Sequence, residues 1–339
     1  MNFFQRKPKH QWTPGQMPTA QGAYVNTRQL ELQQERDVNV RAALELLDAD
    51  LERWVYHRSP SMRELREAYQ KLHMHLQRSD LTINFPAERW FVDENKYETY
   101  TQMYERAVGQ DGELHLQGNV NNPVNRRVAA DDAVTIPEQW RNQEVVTRGL
   151  APRQNQVRIA QRMVFDEVVP NGKGYKSSNP HFDPKTKQVF AALNYAGNPN
   201  GATTDYGYSF FVLKPQLKVN ALYYPGDTFT LQGTGVSTQM SFAHLGAIYG
   251  KITNGFSAES YRRDLLNTCF PNVSKGTAFP MLLEGHLFTQ LRFADALESV
   301  NLSRRNVDGQ PFTEPQWKIL TANAKKFAKK WNVKLNTVA

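Results

Sequence analysis

Cysteine and long apolar runs are almost absent from this chain, and each absence excludes a class of protein. Cys269 is the only cysteine, so no internal disulfide can form, and without a Cys/His cluster a structural zinc site lacks ligands. No apolar run approaches the roughly 18 residues that span a bilayer, and the N-terminal segment lacks the apolar core of a secretory signal. We therefore expect a soluble, metal-free chain that folds by packing alone and is not exported by the general route.

The composition favours a globular protein with two structural regions. Hydrophobic residues make up 40% of the 339 residues and aromatic residues 11%, which is enough for a packed core. The length exceeds the usual size of one core, so we predict two domains. The net charge of +8 is concentrated near the end of the chain. Six lysines there have no acidic neighbour: Lys318, Lys325, Lys326, Lys329, Lys330 and Lys334.

The N-terminal part predicts a tail followed by helices. Residues 1–25 are rich in Pro, Gln, Gly and Lys without apolar periodicity, and we interpret them as a flexible tail, either a specialised secretion signal or an ordinary disordered terminus. Residues 26–108 predict three amphipathic helices in a small bundle: one up to Arg58, one after the Ser61–Glu64 capping box, and one marked by Tyr97, Tyr100 and Tyr104. The bundle is either a targeting module or simply core.

The rest of the chain predicts a linker and an α+β domain. Residues 109–152 are rich in Asn, Gly, Pro and Asp, which is typical of a linker. In residues 153–339 we predict a helix over 153–168, strands beginning at Val189 and Tyr208, and a helix over 258–268. Further strands are predicted in ALYYP, FTLQG and MLLEGHLF, followed by a lysine-rich helix and a last strand, VKLNTV.

Five short segments in this region occur in the order of a known family. They are Tyr175-Lys176-Ser177, Ala192-Leu193-Asn194, Tyr206-Gly207-Tyr208-Ser209, Gly226-Asp227-Thr228 and Glu284-Gly285-His286. With them, residues 150–335 resemble a family of uncharacterised bacterial domains grouped with the ADP-ribosyltransferases. The resemblance implies a split β-sheet domain that binds NAD as a substrate and transfers its ADP-ribose to a protein side chain.

The resemblance also implies roles for individual residues. Glu284 would steady the positive charge that develops on the ribose as nicotinamide leaves, and Ser209 would orient that carboxylate. Tyr206 or Tyr195 would stack on nicotinamide, and Lys176, or alternatively His181, would hold the pyrophosphate. Further nucleotide contacts are expected from Ser177, Asn194 and His286. The first core strand, however, begins Lys187-Gln188-Val189, where the family pattern has an arginine or histidine.

Other functions remain as alternatives. Cys269 with His244 or His286 lacks a nucleophile signature, and the chain has no Walker loop, Rossmann fingerprint or HExxH motif. The lysine-rich helix fits either a membrane interface or a surface helix packed on a sheet, and the strand that follows it favours packing. We expect a toxin or effector that is cytoplasmic in its bacterial producer and that a specialised system delivers to modify a host or competitor protein. The alternatives are a catalytically silent interaction protein and a basic nucleic-acid-binding protein.

Overall fold

The computed structural model describes the helices and strands of most of the chain. It covers residues 19–100, 113–114, 175–176, 189–226, 239–253, 257–276 and 281–338, apart from residues 288, 290 and 307. The helices are α1 Thr19–Gln34, α2 Arg36–Leu51, α3 Met62–Arg78, α4 Ala87–Trp90, α5 Pro215–Lys218, α6 Ala258–Cys269, α7 Phe293–Ala296 and α8 Glu314–Trp331. The strands are β1 Leu81–Phe85, β2 Glu113–Leu114, β3 Tyr175–Lys176, β4 Val189–Leu193, β5 Ser209–Leu213, β6 Leu222–Tyr224, β7 Met240–Ser241, β8 Glu284–Leu287, β9 Leu297–Ser303 and β10 Lys334–Val338.

Eight of these strands form one continuous sheet. Its order is β10-β9-β5-β1-β4-β8-β6-β7, and every neighbouring pair is antiparallel except β10 and β9, which run parallel. The remaining pair, β2 and β3, is antiparallel and separate. The mixed helix and strand content expected from the sequence is confirmed. The eight strands of the larger sheet pair without a break, and the split sheet implied by the resemblance is not confirmed.

The strand β1 joins the two parts of the chain that we expected to be separate domains. It lies between β4 and β5 in the sheet. One apolar core runs from Ala43 in α2 through β1 to Phe327 in α8. Because residues on both sides of the expected linker share that core, the structure does not show a separate helical domain over 26–108. The expected linker lies outside the described residues except for β2. Helix α1 begins at Thr19, so it overlaps the last residues of the expected tail, 1–25.

The helical prediction holds for two of the three expected helices. The first is divided into α1 and α2, and α2 continues as a π-helical turn over Glu52–Tyr56. The second is α3, where Ser61 and Glu64 form the capping box that was expected. The prediction of the third helix was wrong over residues 91–100, which follow the four-residue helix α4 and form no helix themselves. The α2 helix packs on α3 and on a 3₁₀ segment, Phe242–Lys251.

The two faces of the sheet differ in chemistry because successive side chains of a strand point to opposite sides. In β1, Leu81, Ile83 and Phe85 face the apolar core, whereas Thr82 and Asn84 face the other side. The apolar face is covered partly by α8, whose Phe327 contacts other core aromatic rings. The lysines of α8 point to solvent, so the predicted packed helix is confirmed. No helix within the described residues is long and apolar enough to cross a membrane.

The other C-terminal elements also match the sequence patterns where the structure describes them. The strands predicted from Val189 and Tyr208 are β4 and β5, ALYYP contains β6, and MLLEGHLF contains β8. The helix predicted over 258–268 is α6, and VKLNTV contains β10. The helix predicted over 153–168 and the strand FTLQG lie outside the described residues. Three strands of the sheet, β1, β7 and β9, were not predicted at all.

Candidate functional site

The candidate catalytic carboxylate lies on the polar face of the sheet, in an inner strand. Glu284 begins β8, and its Cα partners are Ala192 on one side and Tyr224 on the other. The row continues through Thr82 of β1, and residues directly opposite each other in antiparallel strands share a face. The side chain of Glu284 is only 4% exposed. The fold thus places a nearly buried carboxylate on the face that the apolar core does not occupy.

The neighbour of this carboxylate is a histidine two residues further along the same strand. His286 Nε2 is 3.4 Å from Glu284 Oε2, and the imidazole is fully buried. The ring of Phe190 meets the imidazole edge-on at 4.8 Å between centroids, and the ring of Tyr224 lies at 4.3 Å. These rings limit the orientations of the imidazole, and His286 lies beside Glu284 rather than among the residues that line the cleft.

A loop between β4 and β5 carries Tyr206 over the same face, and Asn84 holds that loop. Asn84 Nδ2 donates to the carbonyl oxygens of Asn200 and Gly207, at 2.7 and 2.8 Å. Its Oδ1 accepts from the backbone N–H and the hydroxyl of Thr203, at 3.2 and 3.1 Å. The Asn84 side chain therefore uses both donors and both acceptor sites, and it fixes the loop at three points.

Thr82 adds a further anchor, and two glycines let the loop approach β1. Thr82 Oγ1 accepts from the Ala202 N–H at 3.2 Å and donates to the Ala192 carbonyl at 3.3 Å. Gly201 has φ 79°, and a Cβ there would lie 2.5 Å from Asn84 Oδ1. Gly207 has φ 122°, and a Cβ there would lie 2.3 Å from a backbone oxygen of β1. A side chain at either glycine would push the loop away from the sheet.

The loop and the strands enclose a small cleft at the carboxylate. Its lining includes Glu284, Tyr206, Asn84, Thr82 and Phe190. Its volume is about 30 Å³. One water needs roughly 10–15 Å³, so the cleft takes groups the size of a water or hydroxyl. The carboxylate can thus meet a hydroxyl in this conformation, whereas a sugar requires the wall that Tyr206 forms to move.

A chain of buried polar groups supports the cleft from behind. Arg28 of α1 donates from Nε to Gln239 Oε1 at 2.7 Å, and Gln239 Nε2 donates to the hydroxyl of Tyr224. The ring of Tyr224 packs on His286, which is next to Glu284. This series of contacts connects helix α1 with the carboxylate, so α1 contributes to the arrangement of the candidate site.

The structure brings some of the predicted site residues together and separates others. Tyr206 and Glu284 line one cleft, and His286 contacts the carboxylate. Ser209 does not, because it pairs with Phe85 and therefore faces the apolar side of the sheet, three strands from Glu284. Its Oγ accepts from the Ser303 N–H at 2.9 Å. The expected hydrogen bond from Ser209 to Glu284 is therefore excluded by the strand register.

Asn194 and Tyr195 have structural surroundings rather than a place at the cleft. Asn194 Nδ2 donates to the Asn198 carbonyl and its Oδ1 accepts from the Asn198 N–H, so the side chain closes the turn after β4. Tyr195 belongs to the apolar core, and burial raises the pKa of its hydroxyl, with Asp264 as a second cause. Neither residue lines the cleft at Glu284, and the nucleotide contacts expected of them remain predictions.

The structure describes little of the surroundings of Lys176, the residue predicted to hold the pyrophosphate. Lys176 is described only as part of β3, which pairs with β2, and Ser177 and His181 lie outside the described residues.

Sequence reasoning missed two polar residues that line the cleft, Thr82 and Asn84. The alternation Leu-Thr-Ile-Asn-Phe in β1 was a signal for them, because period-two alternation of apolar and polar residues predicts a strand with one polar face.

Among known families and curated proteins, the chain has no match from which a role could be transferred. It matches no known protein family, and no curated protein is significantly similar to it. The residues around Glu284 therefore have to be interpreted from their own chemistry and geometry.

Proposed function

We propose that this chain is a mono-ADP-ribosyltransferase that uses Glu284 to transfer ADP-ribose from NAD to a protein side chain. The observation that carries the proposal is the nearly buried carboxylate in a cleft beside Tyr206, with His286 at 3.4 Å. The resemblance of the surrounding segments to the ADP-ribosyltransferase-type family is the second support. The proposal includes a bacterial toxin or effector role with a host or competitor protein as the acceptor.

The chemistry requires a fixed negative charge close to the ribose. When nicotinamide leaves, the bond between its nitrogen and the ribose breaks, and positive charge develops on the sugar. A carboxylate that is already oriented stabilises that charge without reorganisation at the moment of reaction. Glu284 would supply the charge and accept a hydrogen bond from the ribose hydroxyl, and His286 would keep the carboxylate in place. The acceptor side chain then forms the new bond to the ribose, and Glu284 would accept the proton that the acceptor loses.

The loop over residues 200–207 would regulate access to the carboxylate in this proposal. The cleft is too small for a sugar while Tyr206 forms its wall. NAD binding would therefore displace the Tyr206 ring, which would stack on nicotinamide in its new position. Lys176 remains our choice for the pyrophosphate contact, with Ser177 beside it, since a cation suits that group.

The test combines two measurements on the full chain. Biotinylated NAD is incubated with the protein and a cell lysate, and label on lysate proteins is followed together with release of nicotinamide. We expect Glu284→Gln to lower both rates by about 100-fold or more, the usual effect of losing one preorganised electrostatic group. Tyr206→Ala should reduce both rates, while Tyr206→Phe should retain them because the ring is kept.

A matched control separates chemistry from folding. Glu298 is an exposed glutamate on β9, and Glu298→Gln should leave both rates unchanged. Each variant should show the unfolding transition of the parent. Equal labelling by the parent and by Glu284→Gln would end the proposal, as would the absence of both labelling and nicotinamide release from the parent.

The alternatives predict different results. A catalytically silent interaction protein would release no nicotinamide at any concentration of NAD. A basic nucleic-acid-binding protein would shift a DNA or RNA probe with an affinity that falls steeply with salt and is unaffected by Glu284→Gln. The apolar side of α8, including Leu320 and Phe327, is buried, so those residues cannot stack on bases. The exposed lysines of α8 alone give no reason to prefer the second alternative.

A further inference from the structure

A larger cavity lies away from the cleft, between helices α2 and α3 and the 3₁₀ segment 242–251. Its volume is about 240 Å³. It shares no lining residue with the cleft at Glu284. Two arginines, two histidines and a tyrosine line it: Arg36, Arg41, His73, His244 and Tyr69. A water needs about 10–15 Å³, so this cavity has room for a small organic molecule.

The positions of the two imidazoles in this cavity are fixed by hydrogen bonds. His73 Nδ1 accepts from the Gly246 N–H at 3.0 Å, so the proton of the neutral ring is on Nε2. His244 Nε2 lies 2.6 Å from Gln33 Oε1. That amide oxygen only accepts, so Nε2 of His244 is the donor. The His73 ring also stacks on Tyr69, with 4° between the ring planes. The two histidines of the lining are therefore held in place by hydrogen bonds.

Positive charge predominates in this cavity. Burial lowers the pKa of His73 to about 4, with His244 as the second cause, and burial also lowers the pKa of His244. Both rings are therefore neutral at neutral pH, and the charge comes from Arg36 and Arg41. Asp37 is the acidic lining residue, but its side chain is 90% exposed, and its carboxylate lies 3.9 Å from Arg36. An exposed pair at that distance is weak because water screens it.

The hydroxyl of Tyr69 adds a neutral donor. Burial raises the pKa of Tyr69 to about 12, and the nearby positive charge of Arg36 opposes that rise only in part. The hydroxyl therefore keeps its proton and can donate a hydrogen bond to an anion. The side chains of Val40, Leu44 and Ala243 complete the lining and provide apolar contact. The lining therefore includes both hydrogen-bond donors with positive charge and apolar side chains.

We propose that this cavity is a second ligand site, which binds a small carboxylate with an apolar body. Arg36 would form a charge-assisted pair with the carboxylate, Tyr69 would donate to it, and Val40 with Leu44 would contact the body of the ligand. The site is independent of the proposed transfer reaction, since none of these residues contributes to the cleft at Glu284.

The test is a calorimetric titration of the full chain with benzoate, with benzamide as a neutral probe of the same shape. We expect saturable binding of benzoate and much weaker binding of benzamide. Arg36→Gln should weaken benzoate binding by about tenfold or more, the effect of losing a hydrogen bond to a charged group. Arg63→Gln is the matched control, because Arg63 is exposed on α3 and pairs with Glu67 outside the cavity.

A second variant tests the cavity itself rather than its charge. Ala243 is exposed at the edge of the cavity, so Ala243→Phe should fold normally, fill the space and abolish benzoate binding. The proposal is overturned if benzamide binds as tightly as benzoate, if Arg36→Gln behaves like Arg63→Gln, or if benzoate does not bind saturably in the millimolar range. Benzoate affinity that survives Ala243→Phe would likewise place the binding elsewhere.

Discussion

Replacing Asn84 by aspartate exchanges the side-chain amide that holds the loop over the candidate site for a carboxyl group. The amide of Asn84 donates to the carbonyl oxygens of Asn200 and Gly207, while its oxygen accepts two hydrogen bonds from Thr203. A carboxylate can still accept from Thr203, but it has no donor and would face two carbonyl oxygens. Asn84→Asp therefore removes two hydrogen bonds, worth about 1 kcal/mol each, and adds electrostatic repulsion.

The size of that repulsion depends on pH in a way that identifies it. The site is 2% exposed, and Glu284 lines the same cleft, so the introduced carboxyl group has a raised pKa in the folded state. Its pKa in the unfolded state is about 3.9. Between these two values the folded state binds more protons, so stability falls as pH rises. We expect a loss of about 1–2 kcal/mol near pH 4 that grows by up to about 1.4 kcal/mol per pH unit towards neutrality.

Urea unfolding followed by tryptophan fluorescence measures this loss, since Trp90 lies in the core. The free energy of unfolding is compared between parent and variant from about pH 4 to 7, so that effects common to both cancel. Asn272→Asp is the control, because Asn272 is exposed. A loss for Asn84→Asp that is below about 1 kcal/mol and independent of pH, like that of the control, would show that Asn84 does not hold the loop.

Three further predictions concern other parts of the fold. Gly207→Ala should lower the free energy of unfolding by at least about 2 kcal/mol. Gly197→Ala should lower it by less, since a Cβ at Gly197 has nothing within 4 Å. Equal effects would contradict the close approach of Gly207 to β1. Asp50→Ala should cost about 3 kcal/mol because it leaves the largely buried Arg262, whose Nε now lies 2.6 Å from Asp50 Oδ2, without its carboxylate. A loss under about 1 kcal/mol would refute this. The pKa of His73 is lowered to about 4 in the folded state, so below pH 6.5 the unfolded state binds a proton before the folded state does, and the free energy of unfolding should fall as pH falls. His73→Gln should make the free energy of unfolding less dependent on pH between about 6.5 and 4. An unchanged pH dependence would show that His73 does not have a lowered pKa.

The sequence was sufficient for elements whose periodicity is strong and local. The capping box at Ser61 began α3 as expected, and the stripe that includes Leu320 and Phe327 placed α8 on the core. In both cases adjacent turns of one helix carry the whole signal, so no knowledge of distant partners is needed. The same holds for β4 and β5, where short apolar runs are bounded by turn residues.

The missed strands had weak local signals and strong distant partners. β1 has only five residues and lies between two helical segments in sequence, which made it part of an expected helical bundle. It is a strand because β4 and β5, more than 100 residues away, pair with both of its edges. No local propensity reports such pairing, and tertiary context overrides local preference in a short segment.

The candidate site shows where sequence order misleads about geometry. Tyr206 lies in a 3₁₀ turn before β5 and lines the polar cleft, whereas Ser209, the first residue of β5, faces the apolar core beside Phe85. Glu284 and His286 are two apart in a strand and therefore share a face. Parity along a strand, not proximity in sequence, determines which polar side chains can act together. The same rule places Thr82 and Asn84 on the face of Glu284, so two polar residues of its cleft come from a strand that no motif had singled out.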